Sequence, residues 1–216
     1  MFLEEDKKFK IILASSSPRR VKILQLLKID FEVIPPSDFQ EAVYENPYEM
    51  AIINSIKKSK NVADYVRINK SNLMNEGNSI GFFVCGLDTI VLLNNKIFLK
   101  PKSIEEARGF LNELSGNTHK VITGISLMNF LDNKLVSDYE ETKVTFRRLS
   151  INDIESYLEK ENLSVLDKAG AYNIEGYGAV LVKKINGCFY NVMGLPIFKF
   201  IQLLKSFNLK LQDFQK

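Results

Sequence analysis

The chain has 216 residues, 45% of them hydrophobic and 25% charged, a balance that excludes disordered, collagen-like and coiled-coil classes. Its net charge of +3, from 29 basic and 26 acidic residues dispersed along the chain, is too small for a nucleic-acid-binding surface. Its longest apolar stretch, Phe82 to Leu93, is broken by Asp88 and falls short of the roughly 20 residues of a membrane helix.

At the amino terminus the charges follow the apolar residues and there is no long apolar centre, so no signal peptide and a cytoplasmic location are expected. Phe9 to Leu13 is a short apolar run that predicts a buried strand, and Ser15-Ser16-Ser17 follows it. Behind Pro18, the residues Ile23, Leu24 and Leu27 recur at helical spacing, which predicts Ser17 at the N-cap and Pro18 at the first helical position. Phe31 to Ile34 reads as a second strand, stopped by Pro35-Pro36. Asn46, Pro47 and Glu49 open a helix to about Ala63, on which Ala51, Ser55 and Lys58 share a face. The polar stretch from Asp64 to Gly81 has no sustained period and reads as a surface insertion within one domain covering residues 1–216.

Phe82 to Leu93 is strand-like, and Asn94-Asn95 turns the chain into a further strand, Lys96 to Leu99. Ser103 with Glu106 forms a capping box for a helix that carries Ala107, Phe110, Leu111 and Leu114 and ends at Gly116. Val121 to Met128 and Lys134 to Leu149 predict a hairpin around Asp132-Asn133, after which Ser150 caps a helix lined by Ile151, Ile154 and Leu158. Ala179 to Ile185 and Cys188 to Val192 flank Asn186-Gly187, a strong hairpin signal, and both cysteines, Cys85 and Cys188, are expected in strands. Ile197, Phe200, Ile201 and Leu204 mark the last helix, with a fraying tail beyond Phe207. This order predicts a mixed α/β fold in two lobes around a central cleft.

With one histidine and no tryptophan, acid–base and metal chemistry falls to carboxylates, and His119 reads as a packed structural residue. Arg19 and Arg20 stand in the first turn of a helix, where a cation opposes the dipole at about 0.3–1 kcal/mol. One reading seats them on carboxylates such as Glu4, Glu5 or Glu32. The other places an anion there, and the serine hydroxyls, which add donors, favour a phosphate cluster. Asp88, inside an apolar strand, must be paired, metal-bound or at a strand end, because an unpaired buried charge is expensive. Either it binds a cation or deprotonates a water, or it only receives local hydrogen bonds. Lys58 and Lys100, alongside the arginines, make a set able to neutralise a triphosphate, while Asp38 and Glu41 add loop carboxylates. The glycines at 170, 176, 178 and 187 match no Rossmann or P-loop pattern.

Together these segments resemble the Maf family of nucleoside triphosphate pyrophosphatases. The likeness begins at Leu13-Ala14-Ser15-Ser16-Ser17-Pro18-Arg19-Arg20 and continues through Ala51-x-x-x-Ser55-x-x-Lys58, Asp88-Thr89 and Lys100-Pro101. It extends to Leu114-Ser115-Gly116-x-Thr118-His119, Asp167-Lys168-Ala169-Gly170-Ala171-Tyr172 and Asn191-Val192-x-Gly194-Leu195-Pro196, nearly the whole chain in order. The resemblance implies a Maf/ITPase-like fold and hydrolysis of a nucleoside triphosphate to a monophosphate and pyrophosphate, with a divalent cation such as Mg²⁺ or Mn²⁺. It implies Asp88 as general base or metal-organising carboxylate, with Ser15, Ser17, Arg19, Arg20, Lys58 and Lys100 on the phosphates. Glu41 becomes a further metal or catalytic acid, and a homodimer is the family's usual assembly.

The resemblance also bears on the base. A branch acting on dTTP and UTP carries Arg, Thr and Gln where this chain has Arg19, Thr89 and Glu175; a sister branch acting on 7-methyl-GTP carries Trp, Gln and Glu. Two of three positions imply the pyrimidine branch, whereas Glu175 departs, since a carboxylate accepts hydrogen bonds and cannot donate them. The alternatives are a 7-methyl-GTP-preferring enzyme and a nucleotide-binding cell-division regulator without turnover.

Overall fold

The computed structural model describes residues 9–69 and 81–216. The architecture is mixed α/β, as the sequence predicts. The first strand, Phe9–Ala14 (β1), leads through a serine loop into the helix Pro18–Leu26 (α1) and returns as the strand Phe31–Val33 (β2), parallel to β1. A helix joining parallel neighbours is the expected crossover. Pro47–Asn69 (α2) precedes the longest strand, Gly81–Leu93 (β3), which pairs parallel to β1 and then turns into Lys96–Phe98 (β4). Asn94 and Asn95 both have positive φ, 47° and 66°, the backbone of a tight two-residue hairpin turn. Ile104–Leu114 (α3) leads to the hairpin Thr118–Asn129 (β5) and Leu135–Phe146 (β6), and Ile151–Glu161 (α4) follows. After several 3-10 turns come Val182–Asn186 (β7), a short helix Phe189–Val192 (α5) and Ile197–Lys205 (α6). Among the described residues, seven strands form one sheet in the order β2-β1-β3-β5-β6-β7, with β4 on β3.

Alternation along β1 separates two cores. Ile11 and Leu13 face α1 and α6 with Leu24, Leu87, Phe200 and Leu204, while Ile12 and Ala14 face α2 with Val62, Val66 and Val84. A third cluster, with Phe98, Leu111, Val144, Phe146 and Tyr157, lies under α3 and α4. Serine side chains and two glycines bring α2 close to the sheet. A Cβ on Gly86 would lie 2.1 Å from the Ser55 carbonyl oxygen, and one on Gly124 would lie 2.1 Å from that of Ala51. Ser126 Oγ donates to Ser55 O at 2.8 Å and meets Ser59 Oγ at 3.0 Å. That seam fixes the helix over the strand that carries Asp88.

Four expectations change. First, α2 runs to Asn69 instead of stopping near Ala63, because Val66 is buried and the Arg67 guanidinium lies 4.8 Å from the Phe130 ring centre. The remainder of the expected insertion, residues 70–80, lies outside the described residues. Second, Asn186-Gly187 does not turn a hairpin. Ala179 to Leu181 lie in a 3-10 turn, and beyond Gly187 (φ +127°) the chain coils into α5, captured by Thr142 Oγ1, which accepts from Cys188 N at 3.0 Å and Asn191 Nδ2 at 3.0 Å. Third, Cys188 is therefore half-buried outside any strand, whereas Cys85 is a buried residue of β3. Fourth, the tail does not fray. Phe214 is fully buried against Phe9 and Phe83, and its carbonyl accepts from Asp30 N at 2.6 Å.

Candidate active site

Asp88 lies in the middle of β3, opposite Gly124 of β5, and is 3% exposed. Lys58, one helical face below on α2, places Nζ 2.5 Å from Asp88 Oδ1 and 2.6 Å from Glu41 Oε1, so one ammonium bridges two carboxylates. Glu41 comes from an irregular loop, and Asn54 holds that loop. Its amide accepts from Ala42 N at 3.0 Å, donates to Ala42 O at 3.1 Å and approaches Asp88 Oδ2 at 3.4 Å. Sequence reasoning missed Asn54, although Ala51, Asn54, Ser55 and Lys58 are spaced as one helix face and all are buried.

Burial is the largest influence on Asp88 and raises its carboxyl above the ordinary range; Lys58 opposes this and Glu41 reinforces it. Burial would raise Glu41 too, but the charge and hydrogen bond of Lys58 outweigh it and hold Glu41 low. The two carboxylates thereby differ in proton affinity, Asp88 shifted upward and Glu41 downward.

A pocket opens over this trio. Its polar lining includes Ser15, Ser16 and Ser17, between β1 and α1, with Arg19, Lys100 and Asp167. Arg19 Nη2 donates to the Asp167 carbonyl at 3.3 Å, and Lys100 Nζ sits 2.7 Å from the Asp167 carboxylate. Its apolar lining includes Val91, Leu99, Val121, Ala169, Tyr172 and Val192. The Tyr172 hydroxyl meets His119 Nε2 at 2.7 Å, and burial depresses His119 to about 4, so the ring is neutral at pH 7 and structural, as expected.

Not every candidate presents itself to the pocket in the same way. Ser15, Ser17, Arg19, Lys58, Asp88, Thr89 and Lys100 line it together with Glu41. Arg20 also lines it, but three of its N–H groups are spent within the protein, on Gly194 O, Ser15 Oγ and Thr89 Oγ1. Ser17 caps α1 by position only, its side chain making no cap hydrogen bond. Glu175 stands outside the lining and pairs with Lys22 of α1 at 2.9 Å. Asp38 takes a positive φ of 48° in the loop and does not line the pocket.

The model of the Maf-like protein family matches residues 10–207. This chain belongs to the Maf family. Curated relatives are similar over nearly their whole length. A protein of Clostridioides difficile strain 630 is 44% identical over 91% of this chain and 94% of its own, and one of Carboxydothermus hydrogenoformans is 39% identical over 92% and 99%. A protein of Clostridium perfringens strain SM101 is 38% identical over 93% and 98%; all three are named dTTP/UTP pyrophosphatase. A solved HAM1 protein of Coxiella burnetii overlaps with a TM-score of 0.40 at 16% identity, over 65% of this chain and 74% of that one. In this Maf chain, no helix among the described residues is long and apolar enough to cross a membrane. Nor is there, among those residues, a group of three or more His, Cys, Asp or Glu side chains arranged to hold a metal ion; Asp88 and Glu41 meet at Lys58.

Proposed function

We propose that this chain hydrolyses nucleoside triphosphates to the monophosphate and pyrophosphate, with dTTP and UTP as preferred substrates. The observation that carries the reading is the Glu41–Lys58–Asp88 trio in a pocket lined by two kinds of groups, one cationic and hydroxyl-bearing and one apolar. A triphosphate fits the first and a pyrimidine base the second, and the relatives' shared name supports that pairing. Glu175 departs from the pyrimidine pattern, but its carboxylate is paired with Lys22 and stands outside the pocket lining.

In this mechanism a water attacks one phosphorus of the α–β bridge and the bridging P–O bond breaks. Asp88, its proton affinity raised by burial, takes the water's proton. Lys58 keeps Asp88 and Glu41 aligned, and Arg19, Lys100 and the serine hydroxyls neutralise the charge that develops on the departing pyrophosphate. Asp88 and Glu41 have the hard oxygen donors that Mg²⁺ or Mn²⁺ prefers, and such ions complete their shells with phosphate oxygens and water. When bound, the ion would neutralise phosphoryl charge and acidify water. The test is pyrophosphate release, with each metal, from dTTP, UTP, CTP, 7-methyl-GTP and the purine triphosphates. Release foremost from dTTP and UTP supports the reading; preference for 7-methyl-GTP replaces the substrate assignment, and release from none, with nucleotide still bound, leaves a regulator.

A further inference from the structure

Arg20 is the hub of a buried polar line that crosses the sheet beneath the pocket. Its Nε donates to Gly194 O at 2.8 Å, Nη1 to Ser15 Oγ at 2.8 Å and Nη2 to Thr89 Oγ1 at 3.0 Å. Thr89 Oγ1 meets Thr123 Oγ1 of β5 at 3.0 Å, and Thr123 donates on to Asn191 O at 3.2 Å. Asn191, fully buried, donates through Nδ2 to Val121 O and to Thr142 Oγ1, both at 3.0 Å. The loop at the end of α5 is closed by Gly194 N on Asn191 O at 2.8 Å, so Arg20 and Thr123 grip its two ends.

That loop, Val192 to Gly194, and the serine loop both line the pocket, and the one guanidinium of Arg20 bonds to each. Gly194 has φ +96°, and a Cβ there would come within 3.3 Å of both Arg20 Nε and Thr89 Oγ1, so glycine lets the loop lie close against both groups. A buried cation whose burial lowers it to about 10, still far above neutral, is held by neutral oxygens on three separate segments. A residue so committed has few donors left for a ligand. Thr123 is fully buried, lies outside the pocket lining, and reaches the site through Thr89 and Asn191.

We propose that Arg20 and Thr123 are positioning residues: they set the spacing between the serine loop and the Val192–Gly194 wall and fix the Thr89 hydroxyl, without holding substrate themselves. The role rests on the pyrophosphatase reading for its kinetic consequence but not for its structural one. The test therefore has two arms, applied to Thr123→Val, Thr123→Ser and Arg20→Lys. In amide exchange read by mass spectrometry, Thr123→Val and Arg20→Lys should each speed exchange in residues 189–195 about tenfold, the loss of one buried hydrogen bond, with β1 and β3 unchanged. In UTP turnover, Thr123→Val should lower kcat/KM about tenfold, Thr123→Ser should restore it, and the double variant Arg20→Lys/Thr123→Val should lose less than the product of the single losses. Unchanged exchange at 189–195, or a uniform rise across the sheet, overturns the proposal. So does an active enzyme in which Thr123→Val leaves kcat/KM unaltered or the two losses multiply. If the wild type releases no pyrophosphate, the functional reading fails while the exchange arm still decides this one.

Discussion

His119 gives the stability of this protein a defined acid limb. Its ring is 1% exposed, Nε2 is committed to the Tyr172 hydroxyl at 2.7 Å, and Nδ1 has no hydrogen-bond partner. Protonation would bury a charged ring with one N–H facing nothing, which is why burial depresses its pKa from 6.5 to about 4. The unfolded chain takes up this proton near pH 6.5 and the folded chain only near pH 4, so between those values the unfolded state binds more protons. The contribution is complete above pH 6.5 and is lost as pH falls through that window; at pH 5 the loss is about 2 kcal/mol and below pH 4 about 3 kcal/mol. The variant His119→Gln keeps a polar group within reach of Tyr172 and removes the titration. Urea unfolding of both proteins at pH 7.5 and pH 5 isolates the effect as a double difference, in which the cost of the substitution itself cancels. The wild type should lose about 2 kcal/mol more than the variant on acidification. Equal losses in the two proteins would refute the assignment of a buried, neutral His119.

Gly124→Ala would drive a Cβ to 2.1 Å from the Ala51 carbonyl oxygen, backbone against backbone, so α2 must lift from the sheet. The expected cost is about 3 kcal/mol, a fall of roughly 6–12 °C in Tm by scanning calorimetry, and a change under about 2 °C would contradict the packing. Lys58→Met removes the ammonium shared by Asp88 and Glu41 while keeping most of the side-chain volume. Pyrophosphate release should drop about 10²–10³-fold, chiefly in kcat, and a loss under tenfold would remove Lys58 from the mechanism.

Local chemistry made much of this molecule legible. The apolar run of β1, the serines behind it and Pro18 at the first turn of α1 are all short-range signals, and they placed the polar wall of the pocket. Helical spacing put Lys58 on the buried face of α2, and a lone carboxylate in an apolar strand marked Asp88. What escaped depends on partners distant in sequence. Asn186-Gly187 carries a hairpin dipeptide, yet Thr142, from β6, takes the hydrogen bonds that coil the next residues into α5. The tail was read as frayed because Phe214 finds its cover on Phe9 and Phe83, at the other end of the chain and in the central strand. Arg20 was read with Arg19 as a phosphate ligand because the two are adjacent on α1; its hydrogen bonds to Thr89 and Gly194, 69 and 174 residues away, were not legible. Asn54 was passed over for the same reason, its role being to hold the loop of Glu41.

The most direct test of the central claim is ³¹P NMR of the products formed from UTP by the wild type and by Asp88→Asn, with nucleotide binding measured in parallel. The account predicts UMP and pyrophosphate in equal amounts from the wild type, and binding without detectable products from the variant. UDP with inorganic phosphate, or undiminished turnover in Asp88→Asn, would contradict it.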